Sequence, residues 1–431
     1  MLLGALTLAG AVQFALSHSP TIAKQEAAVS QMREAYVKAR SQALPGVQGQ
    51  LQNQLSKSQN YSGQYSVIGA SQASVFSQNT ASIGTSYTYN GGLSHYLTLA
   101  ARQQYDQARA DLERARQQLT NDVANAYFTL ASKNEGVRLD EGDLRYQRTL
   151  VTVAQAKERA GVAAGVDVMS AQASEEKSRY TLASAKADAQ NASEALAQII
   201  GAPLSISFDV PAAVARPPLP RQPVDELVAV AQAHRPDIAS AQDALAVAQT
   251  NRRSADTDLF PQIQTFASFG NQFSPTLAAQ EAHFGPVARG NPGFWNIGAV
   301  STISLPFVDW GARRENHRNL DEQIAAAQAN VEAVRTQSEI DVRQSYRAAQ
   351  TALTQLAAAQ DEARYASEAA RVSQLQYAHG LISIVDVQQR QQAALSAQVD
   401  LYNARVAYAT AIVKLRVALG LLTPQQAVAD L

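Results

Sequence analysis

The sequence predicts a mixed α and β membrane protein in which one unit of strands and very long helices is written twice. Three observations predict it. An internal repeat spans nearly the whole chain, two proline-free stretches have the length of extreme helices, and four segments alternate apolar with polar residues.

The repeat comes first because it fixes the domain organisation. His18-Ser-Pro-Thr-Ile-Ala returns as His234-Arg-Pro-Asp-Ile-Ala, and the same offset superposes Ala39 on Ala255, Leu44 on Phe260 and Pro45 on Pro261. A second block, offset by three residues more, pairs Gly92 with Gly311, Asp122 with Asp341, Tyr127 with Tyr346 and Gly161 with Gly380. It also pairs Asp167-Val168 with Asp386-Val387 and Gly201 with Gly420. The chain therefore divides into a first repeat (1–201), a linker carrying Pro211, Pro217, Pro218 and Pro220 (202–223), a second repeat (224–422) and a tail (423–431). Met1–Leu16 is rich in Leu, Ala and Gly but has no basic n-region, which leaves a signal remnant, a misplaced start or a short helix. Gln13–Leu16 falls opposite Val230–Gln232 of the second copy, so a short helix of the mature protein is expected.

Each repeat opens with an Ala-rich helix, Thr21–Leu44 in the first and Asp237–Leu259 in the second. After a β segment come the long helices, Leu93–Ala160 and Ala312–His379, then a Gly-containing turn and a returning helix to Gly201 or Gly420. At 1.5 Å per residue each long helix spans roughly 100 Å. Helices of that length must pair with others, and alanine suits close side-by-side packing. Ile340, Tyr346, Leu353 and Leu356 form an apolar stripe at helical spacing.

The β segments carry a period of two. Val47, Gly49, Leu51 and Leu55 alternate with Gln48, Gln50, Gln52 and Gln54, and Ile83, Thr85, Tyr87 and Tyr89 with Ser82, Gly84, Ser86 and Thr88. Ile263, Thr265, Ala267 and Phe269 alternate less cleanly with Gln264, Phe266 and Ser268. The last strand sets Trp295, Ile297, Ala299, Ile303 and Leu305 against Asn296, Gly298, Thr302 and Ser304. Two hairpins result, over 45–90 and 260–308, with polar loops expected at Ser56–Thr80 and Ser274–Gly293. A soluble sheet with one packed face is the plainer reading of any single strand. Four such strands beside helices of this length favour a lipid-facing sheet with a wet inner face. Four strands cannot close a barrel and open edges are not tolerated in lipid, so several copies of the chain must share one.

Composition excludes other classes. A net charge of −1 and a pI near 6.6 give no basic stripe for nucleic acid. The absence of cysteine removes disulfides, thiolate metal sites and cysteine nucleophiles. No catalytic constellation appears, and no cofactor or metal is expected. His18 and His234 lack nearby ligands and are read as helix-start residues, and Asp140, Glu141 and Asp143 as a solvated helix face. Arg252-Arg253 and Arg313-Arg314 flank strands, where lipid headgroups and ordinary solubility account for them equally.

The remaining candidates sit at the helical turns. Gly161 and Gly380 permit left-handed caps that reverse the chain, and Val162, Leu381 and Ile382 put apolar side chains there. Asp167 and Asp386 stand in the first turn of the returning helices. Ser383-x-x-Asp386 reads as a capping box, which by itself accounts for Asp386.

Over about Ala9 to Leu422 the sequence resembles the TolC-like outer-membrane factor family. The resemblance is carried by His18-x-Pro20 and His234-x-Pro236, by Leu305-Pro306-Phe307 leading to Asp309-x-Gly311, and by the paired turns. The turns read Ala160-Gly161-Val162-x-x-x-x-Asp167-Val168 and His379-Gly380-Leu381-x-x-x-x-Asp386-Val387. It implies a homotrimer in the cell outer membrane. Its twelve-stranded transmembrane β-barrel, four strands per protomer, continues into a periplasmic α-helical barrel. It implies a passive exit duct of a tripartite efflux system that expels small molecules, docked to a periplasmic adaptor and an inner-membrane pump. A duct for type I protein secretion is the alternative within the class, and a soluble coiled-coil scaffold the alternative outside it. The resemblance makes Gly161, Val162, Gly380, Leu381 and Ile382 adaptor-docking residues and Asp167, Tyr377, Asp386 and Gln389 gate residues. In that gate Asp386 forms a carboxylate ring, and Tyr377 is a latch with Asp167 as its partner. Gln389 holds a second ring position that is often acidic, and Ile382 stands where an arginine latch can occur.

Overall fold

Proline and glycine set the helix boundaries in both repeats. The computed structural model describes residues 6–59, 73–161, 164–206, 208, 210, 216–273, 293–303, 308–379 and 381–421. Helix α1 (Leu8–His18) is capped by the Thr7 hydroxyl, which accepts from Gly10 N at 3.1 Å, and α2 (Pro20–Gln42) starts at a proline. Proline suits a first helical position, where the N–H it lacks has no partner. The second repeat does the same with α5 (Val224–His234) and α6 (Pro236–Ala255). His18 and His234 therefore end a helix; they do not start one as the sequence suggested. Each histidine Nδ1 turns back to a carbonyl four residues earlier, Phe14 at 3.0 Å and Val230 at 2.9 Å. Of the short helix expected within Met1–Leu16, residues 1–5 lie outside the described residues and the rest is met by α1 from Leu8, while the helix expected to reach Leu259 ends in a 3-10 turn over Asp256–Leu259.

The chain forms two compact units. One contains Gln31–Tyr105 and Asp243–Ala327 and holds the strands β1 (Gly46–Gln59), β2 (Ala73–Asn90), β3 (Gln262–Phe273) and β4 (Gly293–Thr302). They make one antiparallel sheet in the order β1-β2-β3-β4, so β1 and β4 are its edges. Register puts Val47, Thr85, Ala267 and Ile297 in one row and Gly49, Ile83, Phe269 and Trp295 in the next. Opposed residues share a face, so one face gathers the apolar side chains and the other the glutamines and serines. The apolar face is uncovered: Leu51 is 85% exposed, Val47 77% and Trp295 76%.

Two details differ from the sequence expectation. Pairing of Ser56–Gln59 with Ala73–Phe76 extends the first hairpin into the segment read as a polar loop. Backbone bonding makes that ladder and needs no hydrophobic alternation. The imperfect alternation of β3 also has a cause. Phe266 lies on the polar face directly opposite Gly298, and Phe294 opposite Gly270. A Cβ at either glycine would sit 2.6 Å from the facing ring, so the rings cover the glycines across the strands.

The strand-to-helix turns hold left-handed residues in both repeats. Gly91 and Gly92 have φ of +62° and +95°, and a Cβ on Gly91 would overlap Phe260. The corresponding residues of the second repeat are Trp310, with φ +51°, and Gly311, with φ +87°. Trp310 bears a strain that glycine avoids, of about 1–3 kcal/mol.

The second unit contains Met1–Ser30, Asp106–Gln242 and Gln328–Leu431. Its main pieces come from α3 (Leu93–Arg159), α4 (Gly165–Ile200), α7 (Ala312–Ala378) and α8 (Ile384–Ala418). Both long helices run 67 residues unbroken. On α7 the predicted stripe is buried in part: Leu356 lies in the core and Tyr346 and Leu353 pack against its edges, whereas Ile340 is 40% exposed. The buried residues are Val331, Ser338, Ala352, Ala359 and Ser373 on one line and Val342, Ala349, Leu356, Ala363, Ala370 and Tyr377 on another. Both lines keep a period of seven, which is a coiled-coil seam made mostly of small residues. Opposite it, α8 supplies Ala404, Tyr408, Ala411 and Ile412. The α1 helix packs Ala11, Val12 and Ala15 into a core with Leu130, Leu196 and Ile200, and α5 repeats this with Leu227, Ala231, Val342 and Leu415.

Asp140, Glu141 and Asp143 are not a freely solvated face. The returning α4 lies over them: Ser178 donates to Asp143 at 2.5 Å and Lys186 pairs with Glu141 at 3.1 Å. Burial and the nearby Asp143 raise the Asp140 carboxyl. Among the described residues no helix is long and apolar enough to cross a membrane.

Candidate functional site at the helical turns

Each long hairpin reverses over a few residues. In the first, Ala160 N bonds Ala156 O at 3.1 Å, Gly161 N bonds Glu158 O at 2.9 Å, and Gly161 takes φ +73° with open space where a Cβ would go. In the second, His379 N bonds Leu375 O and Leu381 N reaches back to Gln376 O at 2.9 Å. Val162 and Gly380 lie outside the described residues. Of the apolar turn residues, Leu381 is 72% exposed whereas Ile382 packs inward.

Behind the turns lies one small core. Leu150, Val151 and Ala154 of α3, Val168 and Ala171 of α4, Tyr377 of α7, and Ile384 and Val387 of α8 form it, with Tyr146 and Ile382 against its edge. Tyr377 is thus brought beside the first repeat's hairpin. Burial raises its phenol above the usual value, and the Asp167 carboxylate adds to the shift. The two groups are neighbours, yet the Tyr377 hydroxyl is buried without a hydrogen-bond partner among the described residues. Within one chain the polar contact to Tyr377 comes from Lys157. Its Nζ donates to the Tyr377 carbonyl at 2.7 Å and sits 3.7 Å from the centroid of the same ring. The cation thereby binds the last turn of α7 through both a charged hydrogen bond and the ring face.

Asp386 makes the capping box that its sequence foretold. Asp386 N donates to Ser383 Oγ at 3.2 Å, Ser383 N donates to Asp386 Oδ2 at 3.2 Å, and the Ser383 hydroxyl donates to the same oxygen at 2.7 Å. The serine hydroxyl and then its backbone N–H hold the carboxyl below its usual range, with a further contribution from the Arg390 charge. Asp386, Gln389 and Arg390 are all exposed, and Asp167 is half-buried in the first turn of α4. Lys157 and Arg390 had no signal in the sequence, although Arg390 stands four residues after Asp386, where helical side chains meet. Of the arginine pairs, Arg252 is taken up by Asp256 at 2.7 Å and Asp321 at 2.8 Å.

A family model described as outer membrane efflux protein matches residues 11–202 and 227–421, one segment for each repeat. Duplicated helical hairpins with an uncovered apolar sheet thus define an outer-membrane channel protein, not an enzyme. The chain belongs to the outer membrane efflux protein family. Nodulation protein T of Rhizobium leguminosarum bv. trifolii is 24% identical over 348 residues, covering 79% of this chain and 71% of that protein. The CmeC outer membrane channel of Campylobacter jejuni superposes with a TM-score of 0.77 at 19% identity, over 96% of this chain and 85% of that one. The open state of the MtrE outer membrane channel of Neisseria gonorrhoeae gives 0.76 at 24% identity, over 96% and 89%. These likenesses establish the fold.

Proposed function

We propose that three copies of this chain join their sheets into one twelve-stranded barrel and serve as the passive exit duct of a tripartite efflux system for small molecules. One observation carries the reading: among the described residues a four-stranded sheet has both edges, β1 and β4, unpaired, and an apolar face that is largely exposed. In lipid such edges must be closed by other chains, and such a face needs no cover. Exposed Tyr365, Leu375, Tyr180 and Met169 on α7 and α4 support side-by-side packing of helical hairpins from neighbouring copies.

In this reading Gly161, Val162, Gly380, Leu381 and Ile382 meet a periplasmic adaptor that links the duct to an inner-membrane pump. Asp386 and Gln389 line the entrance, and Tyr377 with Asp167 holds it narrow. The unsatisfied Tyr377 hydroxyl and the exposed Asp386 carboxylate support those roles. Three carboxylates across a narrow lumen favour cations, and Arg390 beside each moderates the field. The experiment is purification followed by planar-bilayer recording. A detergent-dependent particle of three chains that conducts is expected. A stable monomer in plain buffer overturns the barrel.

A further inference from the structure

Trp310 breaks two rules at once. It adopts the left-handed conformation that the first repeat gives to Gly91, and it is 95% exposed, so no packing among the described residues compensates the strain. Gly91 needs glycine because Phe260 fills the space beside it. Trp310 has no such neighbour, and glycine would serve the turn equally well. A strained residue held without internal contacts points to a contact outside the chain.

Its surroundings define the contact. The end of α6 is bound to the first turns of α7 through Arg252 and Asp321 at 2.8 Å, and the 3-10 turn before β3 by the approach of Asp256 to His317 Nδ1 at 3.6 Å. This sets Trp310, two turns before His317, at the helix-side rim of the sheet. The same rim carries Tyr89 and Ile263, paired with each other across β2 and β3, together with exposed Phe260 and Val308. These continue the apolar face of the sheet to its edge. One helical turn beyond Trp310 stands Arg314, exposed and without an ion pair among the described residues. An indole beside an apolar band, followed by a free guanidinium, matches the order of a bilayer boundary: acyl chain, interface, phosphate.

We propose that Trp310 is an interfacial anchor whose indole sits at the headgroup level of the phospholipid bilayer, with Arg314 reaching the lipid phosphates. The anchor rests on the barrel reading and fixes the depth at which the sheet gives way to the helices.

The chain contains two tryptophans, Trp295 and Trp310, which makes the test direct. The full-length protein is reconstituted in phosphatidylethanolamine–phosphatidylglycerol vesicles containing lipids brominated at shallow or deep acyl positions. In Trp295→Phe the fluorescence of Trp310 should be quenched most by the shallow bromines and little by acrylamide in the water. Quenching by acrylamide alone places Trp310 in the aqueous phase and overturns the anchor. Quenching by neither places it under a neighbouring chain and overturns it as well. Trp310→Phe reports Trp295, which the barrel exposes to acyl chains. Lipid quenching at Trp295 with none at Trp310 removes the anchor alone, whereas no lipid quenching at Trp295 removes the barrel and the anchor together.

Discussion

Lys157 Nζ lies 2.7 Å from the Tyr377 carbonyl oxygen and 3.7 Å from the centroid of the Tyr377 ring, so one cation fastens the end of α3 to the end of α7. The two residues belong to different repeats, and Lys157 links the two turns. Replacing it with methionine keeps the stem and removes the charge. Losing a charged hydrogen bond should release the turns by about 1.5–3 kcal/mol. Lys157→Met should raise the open fraction in single-channel recordings while ion selectivity stays unchanged. An unaltered open fraction would mean that the entrance is held elsewhere.

Arg390 should blunt the cation preference that Asp386 confers. Arg390→Gln is expected to raise cation selectivity and Asp386→Asn to lower it, both read from reversal potentials. The pH dependence follows from the cap. A carboxyl whose folded pKa lies below its unfolded value of 3.8 stabilises the fold above that value and loses the effect as pH falls through the folded pKa. Selectivity should therefore stay level from pH 8 down to about pH 4 and decline only below it. A midpoint near pH 6 would show that mutual repulsion in a ring outweighs the cap.

Gly201 and Gly420 are expected to tolerate no side chain. Each has a positive φ, +76° and +70°, and a Cβ would approach the carbonyl oxygen of His18 or His234 to 2.8 Å. Gly311 has φ +87° with open space around it. Gly420→Ala should cost more than the roughly 1–3 kcal/mol of left-handed strain alone, and Gly311→Ala should cost that strain only. Thermal unfolding in detergent compares them, and equal midpoints would contradict the close approach.

Leu381 is 72% exposed, so Leu381→Glu should leave folding and membrane assembly unchanged. If the turn is read by an adaptor, the same change should abolish export from cells. Export at the normal rate would remove Leu381 from the docking surface.

Much of this was legible from residues that repeat. Gly161 takes the left-handed cap expected of it, Gly201 and Gly420 stand at the helix ends where the repeat put them, and Ser383 with Asp386 forms the expected box, because caps are local chemistry. The strands of Val47–Leu55 and Ile83–Tyr89 were legible for the same reason. The α7 seam was not, since Ala349, Ala352 and Ala363 give no contrast with their alanine neighbours. Pairing beyond Leu55 was hidden because the ladder uses backbone groups. Lys157 and Tyr377 are brought together only by the fold, and nothing local marks Trp310 as left-handed.

Closure of the sheet by three chains is open to a direct measurement, because the chain has no cysteine of its own. Within one sheet β1 and β4 are three strand spacings apart, about 14 Å, too far for a disulfide, which needs Cα atoms within roughly 7 Å. One cysteine is placed in β4 at Asn296 and a second is scanned through Gln48, Gln50 and Gln52 of β1, followed by mild oxidation in the membrane. At the correct register the account predicts a covalent ladder of one, two and three chains that stops at three. Monomers at every position, a ladder that stops at two, or one that continues past three would contradict it.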